Sequence, residues 1–283
     1  MRKVELAKDI YSSILGFGCA PIMGSVDAST GKRALYCALD AGVNHLDLAR
    51  SYGYGEAEKF AGKLIKGMRH DLVLASKFGI VANWKANLIA PVKPLVRYAL
   101  GKVKKSNPVP SKPTGQETGV TIANRFLERV PITADEMRKS LDKTLKALGT
   151  DYLDCLFIHE PLEILLNVNE LIAEADLLKQ QGKIRALGLA CMRTQMPLHT
   201  GYLNKFDLLQ FDNSPGAPGY GKAAAERGSS SNVIFSPMRG GSEQITPADK
   251  LKQLYTDFSN SVVVCSMFNT DHIAANAAVA ELS

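Results

Sequence analysis

Short apolar runs of strand length recur along the chain, at residues 14–17, 44–47, 72–76, 153–158, 185–190, 207–211, 232–235 and 261–265. Most are apolar throughout. A half-exposed strand alternates, so continuous runs predict strands buried on both faces, as in a parallel sheet. The stretches between them carry helix signals. Thr133 is followed three residues later by Glu136, a capping-box spacing that opens a helix over Ala134–Leu148, and Gly149 stands where such a helix ends. Gly42 closes a helix over 31–41 in the same way, and Gly182 closes one over 168–181. Eight apolar runs alternating with helices, at intervals of mostly two to three dozen residues, predict an α/β fold: the closed (β/α)8 TIM barrel. A barrel of this kind accommodates residues 1–283 as one domain.

One interval breaks the rhythm. Lys77 and Leu153 are 76 positions apart, far more than one βα unit needs. Residues 80–130 fill the gap as a long loop insertion after strand 3, with Pro91, Pro94, Pro108, Pro110 and Pro113 within it. A βα loop leaves the barrel at its C-terminal face, where active sites of this fold sit, and a loop this long is functional or disordered. The expectation is an active-site lid whose centre, 102–119, is poorly held and whose apolar pieces at 88–89 and 95–100 pack on the rim.

Charge sharpens this picture in one place only. The formal net charge is +6, and residues 81–130 hold nine Lys or Arg against two acids. The excess cation therefore belongs to the insertion. No nucleic-acid motif accompanies it, so a solvated basic loop is expected and no nucleic-acid partner. The five cysteines are odd in number and lack metal-ligand spacing, which predicts reduced thiols in a reducing compartment. The N-terminus is charged where a leader would be apolar, and no run of 18 apolar residues occurs. A cytoplasmic chain without a membrane span is expected.

Four polar residues stand at consecutive strand ends. Asp47 closes strand 2, Tyr52 lies in the loop beyond it, Lys77 follows strand 3 and His159 follows strand 4. Each alone has a plain explanation as a cap, a surface cation or a loop residue; on a barrel all four converge on one mouth. The set is coherent for proton transfer. A phenol holds its proton too tightly at neutral pH, a neighbouring ammonium lowers that pKa, and Asp47 would fix the ammonium in place. His159 would donate a hydrogen bond to a carbonyl oxygen while Tyr52 protonates it. Hydride must then come from a cofactor.

The segment from Gly42 through Asp47 to Tyr52-Gly53 resembles the aldo-keto reductase signature. Glu58–Gly62 matches the Glu-x-x-x-Gly that follows it, and Ala75-Ser76-Lys77-Phe78-Gly79 the lysine segment. Residues 138–161, ending Ile158-His159-Glu160-Pro161, are similar to the family's helix 3 and strand 4. The resemblance implies Asp47, Tyr52, Lys77 and His159 as a catalytic tetrad. It also implies an NADP or NAD cofactor and a small-molecule carbonyl or alcohol substrate: an aldehyde, ketone or sugar lactol. By the same resemblance Gln210 contacts the nicotinamide carboxamide and Phe235 stacks on its ring. Ser236, Met238, Arg239 and Gly241 belong to a pyrophosphate loop, and Ser266, Asn269, His272 and Asn276 grip the adenosine end.

The chain departs from the family pattern in several places. Ala190-Cys191 replaces a Ser-Asn pair that contacts the carboxamide, which predicts a weakened or re-routed grip on the nicotinamide. His272 stands for an arginine and Ser266 for a lysine at the 2′-phosphate, so discrimination between NADPH and NADH is expected to be modest. In Tyr52-Gly53-Tyr54-Gly55 a second tyrosine competes for the role of acid. Two further readings stay open: a cofactor-binding regulatory subunit with weak activity, and a Schiff-base lyase using Lys77 as nucleophile.

Overall fold

The computed structural model describes residues 1–89 and 125–283. Eight parallel strands close a barrel. In chain order they are β3 (Leu15–Gly18), β4 (His45–Asp47), β5 (Val73–Phe78), β8 (Leu153–His159), β9 (Ile184–Ala190), β10 (Leu208–Asp212), β11 (Asn232–Phe235) and β12 (Val262–Cys265). Closure runs through β12 and β3, where Val264 pairs with Gly16. Every expected strand is present, displaced by two residues at most, and strand side chains such as Phe17, Leu46 and Phe157 are fully buried. The barrel is thus a packed core, with function left to its C-terminal rim.

The helices follow their signals. Over Ala134–Leu148, here α4, the Thr133 hydroxyl accepts from the Glu136 N–H and Gly149 ends the helix at φ 67°. Before it come α1 (Ala28–Asp40), whose N-cap Asp27 lies upstream of the expected start, α2 (Ala57–Leu64) and α3 (Trp84–Ile89). After it come α5 (Val168–Gln180), the short α6 (Met196–His199), α7 (Tyr220–Arg227), α8 (Pro247–Asp257) and α9 (Thr270–Glu281). Among the described residues, no helix is long and apolar enough to cross a membrane.

Two antiparallel ladders lie outside the barrel and were not expected. One joins β1 (Lys3–Ala7) to β2 (Ile10–Ser13). It buries Leu6 and Ile10 and is tied to the start of β4, where the Ser13 N–H donates to Asn44 Oδ1 at 2.7 Å. The other joins β6 (Ile80–Ala82) to β7 (Leu127–Arg129), pairing Ile80 with Arg129 and Ala82 with Leu127. It draws together the two ends of the insertion. Most of the expected lid, including its centre at 102–119 and the apolar piece at 95–100, lies outside the described residues.

Candidate active site

The four strand-end residues meet at the C-terminal mouth. Asp47 is the last residue of β4 and His159 the last of β8. Lys77 lies inside β5, one residue before its end, rather than after the strand. Tyr52 follows in a one-turn helical loop that twists through Gly53 and Tyr54, both at φ 60°.

Lys77 organises the group. Its Nζ donates to Asp47 Oδ1 at 2.9 Å, Asp47 Oδ2 at 2.8 Å, the Leu48 carbonyl at 2.8 Å and the Tyr52 oxygen at 2.9 Å. An ammonium has three protons and no lone pair, so all of them are committed. Because Lys77 donates to the phenol oxygen, Tyr52 keeps its own proton to give elsewhere. Its nearest carboxylate acceptor, Asp47 Oδ2, is 3.5 Å away, too far for a strong hydrogen bond. Tyr54 is not among these contacts of Lys77; its ring meets Phe126 edge-on at 5.7 Å.

Burial dominates the electrostatics. It would by itself lower the Lys77 pKa, but Asp47 and then Tyr52 outweigh it, and the ammonium is held above the ordinary lysine range. Burial pushes the Tyr52 phenol up to about 12; Lys77 pulls it down and Asp47 pushes it further up. The expectation of a lowered phenol pKa is therefore corrected: the lysine acts with the expected sign, and desolvation exceeds it. His159 is held well below the ordinary histidine range by burial, then by the charges of Lys77 and Arg129. Its ring packs edge-on to Tyr52 with centroids 6.1 Å apart. Its Nδ1 is buried with no hydrogen-bond partner among the described residues.

A cavity of about 780 Å³ opens on these residues. Asp47, Tyr52, Lys77 and His159 line it, together with Gln210, Phe235, Ser236, Met238, Arg239, Ser266, His272 and Asn276. Two of the expected cofactor residues do not. Asn269 caps α9, its Oδ1 accepting from the Asp271 N–H at 2.8 Å, and Gly241 packs where a Cβ would fall 2.3 Å from the Pro215 carbonyl oxygen. Sequence reasoning missed Thr246, Pro247 and Ala248, which line the same cavity. The signal was present: Thr246 caps α8 ahead of Pro at the first helical position.

The cavity suits a dinucleotide. Gln210 donates from Nε2 to Asp47 Oδ1 at 2.7 Å, while its buried Oε1 has no partner among the described residues. That leaves an acceptor for a carboxamide N–H. The starts of α8 and α9, with Arg239 nearby, border the same space, and helix N-termini favour phosphates. The Ala190-Cys191 pair offers no such contact. Ala190 lines the cavity, and Cys191 is buried, its thiol pushed up to about 12 by burial and by Asp212 and Glu160.

A closed parallel barrel thus gathers buried Lys, Asp and His and a half-buried Tyr at the C-terminal ends of its strands, with a cavity beside them. The model of the aldo/keto reductase family matches residues 14–195, well over half of the sequence, and the chain belongs to that family. It is 29% identical over 205 residues to the aldo-keto reductase YhdN of Bacillus subtilis, a match covering 68% of this chain and 49% of that protein. The chain spans about half the length of the curated relatives it matches. Among solved structures, the putative aldo-keto reductase of Pseudomonas aeruginosa has a TM-score of 0.69 at 21% identity, covering 99% of this chain and 95% of that one. An aldo-keto reductase of Klebsiella pneumoniae in complex with NADPH has a TM-score of 0.64 at 17% identity, covering 99% of this chain and 89% of that one. At these identities the structural likeness carries the fold.

Proposed function

We propose that this chain is an oxidoreductase that transfers hydride between NAD(P)(H) and an aldehyde, ketone, sugar lactol or alcohol, with Tyr52 as general acid. One observation carries the reading: the Tyr52 oxygen accepts from the Lys77 ammonium at 2.9 Å, itself held by both oxygens of Asp47, on the wall of a cavity sized for a dinucleotide.

A bound reduced nicotinamide supplies hydride to the carbonyl carbon. The protein's own groups handle the proton. His159, held uncharged, donates a hydrogen bond that orients the carbonyl and supports charge developing on its oxygen. Tyr52 gives its proton to that oxygen. The phenolate left behind is stabilised by Lys77, whose charge is compensated by Asp47. Gln210 would meet the carboxamide and Phe235 the ring. Ser236, Met238, Arg239, Ser266, His272 and Asn276, with the start of α8, would hold the phosphates and adenosine. The Schiff-base alternative is disfavoured because Lys77 has no lone pair to offer in this arrangement.

The test is direct. Absorbance of reduced nicotinamide is followed with a panel of aldehydes, ketones and aldoses, using NADH and NADPH in turn. Oxidation dependent on both enzyme and carbonyl is expected. A protein that binds cofactor but oxidises it with none of the panel would instead be the regulatory, non-catalytic form.

A further inference from the structure

A second cavity, of about 680 Å³, adjoins the first and shares Tyr52, His159 and Glu160 with it. Its other polar groups include Ser51, Tyr54, Glu128 and Arg129. The two spaces therefore meet where the proposed acid sits. If the first holds the dinucleotide, the second is where substrate lies.

Glu160 stands at that junction in an unusual way. Its backbone is left-handed, at φ 47°, a region that non-glycine residues seldom enter and hold only when their surroundings impose it. Two contacts do so. The Glu160 N–H donates to the Ala190 carbonyl at 2.7 Å, and its own carbonyl accepts from Arg129 Nη1 at 2.5 Å. Strand β9 and ladder strand β7 thereby pin the residue from opposite sides. Its carboxyl bears on Tyr52, whose phenol it helps to raise, and the Arg129 guanidinium bears on His159, whose imidazole it helps to lower.

An acceptor and a donor thus flank the two groups that would grip the carbonyl. Glu128 adds a second carboxyl to the same cavity, so among the described residues carboxyls outnumber the guanidinium there, which favours a neutral substrate over an anionic one. A purely apolar substrate would strip water from Glu160 and return nothing. We infer that the site takes a neutral carbonyl compound with a hydroxyl on the carbon next to the carbonyl, and that Glu160 is the residue that selects it by accepting from that hydroxyl. The inference rests on the proposed function, because it places the carbonyl at Tyr52 and His159.

Isosteric pairs test it: hydroxyacetone against butan-2-one, and glycolaldehyde against propanal. A hydrogen bond to a charged group, unmade in the methyl analogue, corresponds to a preference in kcat/KM of about tenfold or more. In Glu160→Ala the ratio within each pair is expected to fall about tenfold from its wild-type value. Comparing the variant with the wild type cancels the intrinsic reactivity of the carbonyls. Glu160→Asn, well suited to left-handed backbone, checks that a narrowed ratio does not come from a collapsed loop, and should narrow it as well. A ratio near unity in the wild type, or one unchanged in both variants, overturns the inference.

If none of the four compounds turns over, the proposed function fails first. Binding then decides the inference separately, with propane-1,2-diol and butan-2-ol as probes followed by saturation-transfer NMR. Preference for the diol in the wild type, lost in Glu160→Ala, supports the hydroxyl site. Equal binding of both alcohols overturns it.

Discussion

Tyr52 and Tyr54 lie two residues apart in one turn; the Tyr52 oxygen accepts from the Lys77 ammonium at 2.9 Å, while the Tyr54 ring meets Phe126 edge-on. Replacing Tyr52 with Phe removes the transferable proton and leaves the cofactor cleft intact. Turnover should fall by about a hundredfold to ten-thousandfold, the usual worth of a general acid, while fluorescence titration shows nearly unchanged cofactor affinity. Tyr54→Phe should retain most activity; the reverse result would assign the acid to Tyr54. The raised phenol has a further consequence. The acid form is the one needed for reduction, and a group raised to about 12 keeps its proton well past the ordinary phenol value of 10.0. Carbonyl reduction should therefore show no alkaline limb from Tyr52 below about pH 10; a limb near neutrality would contradict the burial argument. Ser266 and the exposed His272 take the places where the resemblance would put cations, and among the described residues Arg239 is the guanidinium lining the cavity. Titration with both reduced cofactors should give affinities within about tenfold, or 1.4 kcal/mol. A preference of about a thousandfold for NADPH would mean that the phosphate pocket is read wrongly.

Among the elements, α2 and α4 explain why the Glu58–Gly62 motif has its spacing. Glu58 faces inward from α2, and its Oε1 accepts from Ser76 at 2.7 Å and Thr144 at 2.8 Å. One turn later Gly62 lets the backbones touch: a Cβ there would fall 2.4 Å from the Leu148 carbonyl oxygen. Alanine would gain up to about 1 kcal/mol of helix propensity, but the obstacle is backbone and cannot swing aside. Overpacking at about 1–3 kcal/mol wins, so Gly62→Ala should lower the melting temperature by several degrees; a rise would show that α2 shifts freely. The elements most legible in the sequence were those with a strong period or cap: the eight barrel strands, and the helix between Thr133 and Gly149. The β1–β2 ladder was not, although Lys3–Ala7 alternates polar and apolar positions as a half-exposed strand does, because its strands are only five and four residues long and lie outside the βα period. The β6–β7 ladder was hidden for a different reason. Its strands are three residues each and 44 positions separate Ala82 from Phe126, and pairing at that distance leaves no local mark. Glu160 was visible only as the neighbour of His159, since its importance lies in a backbone angle that composition does not record.

For the molecule as a whole, acid should be the vulnerable side. His45, the first residue of β4, is fully buried. Its Nδ1 lies 3.1 Å from the Ser12 hydroxyl and its Nε2 has no partner among the described residues. Burial lowers its pKa from 6.5 to about 4. Unfolded chains take up a proton at this residue as pH falls below 6.5, and folded chains do not until about 4. Stability is thus full above 6.5, declines through that window and levels off below it, for a loss of about 3 kcal/mol from this group. His159, lowered in the same direction, adds to it. Melting temperature followed from pH 7 to 4 should drop more steeply in the wild type than in His45→Gln. Parallel curves would mean that the imidazole reaches water on protonation.

The ladder between β6 and β7 has a consequence of another kind. Asn83 N–H donates to the Phe126 carbonyl at 2.9 Å and Val130 N–H to the Gly79 carbonyl at 3.0 Å, so the chain leaves the barrel and returns to it through one clamped stem. The closure is made at the stem, whatever the length of chain between its strands. Doubling or halving such a segment changes the entropy of closing it by only about 0.6 kcal/mol. The stem therefore works as a socket: a foreign sequence spliced between its strands would be presented beside the candidate site on a barrel that need not change to receive it.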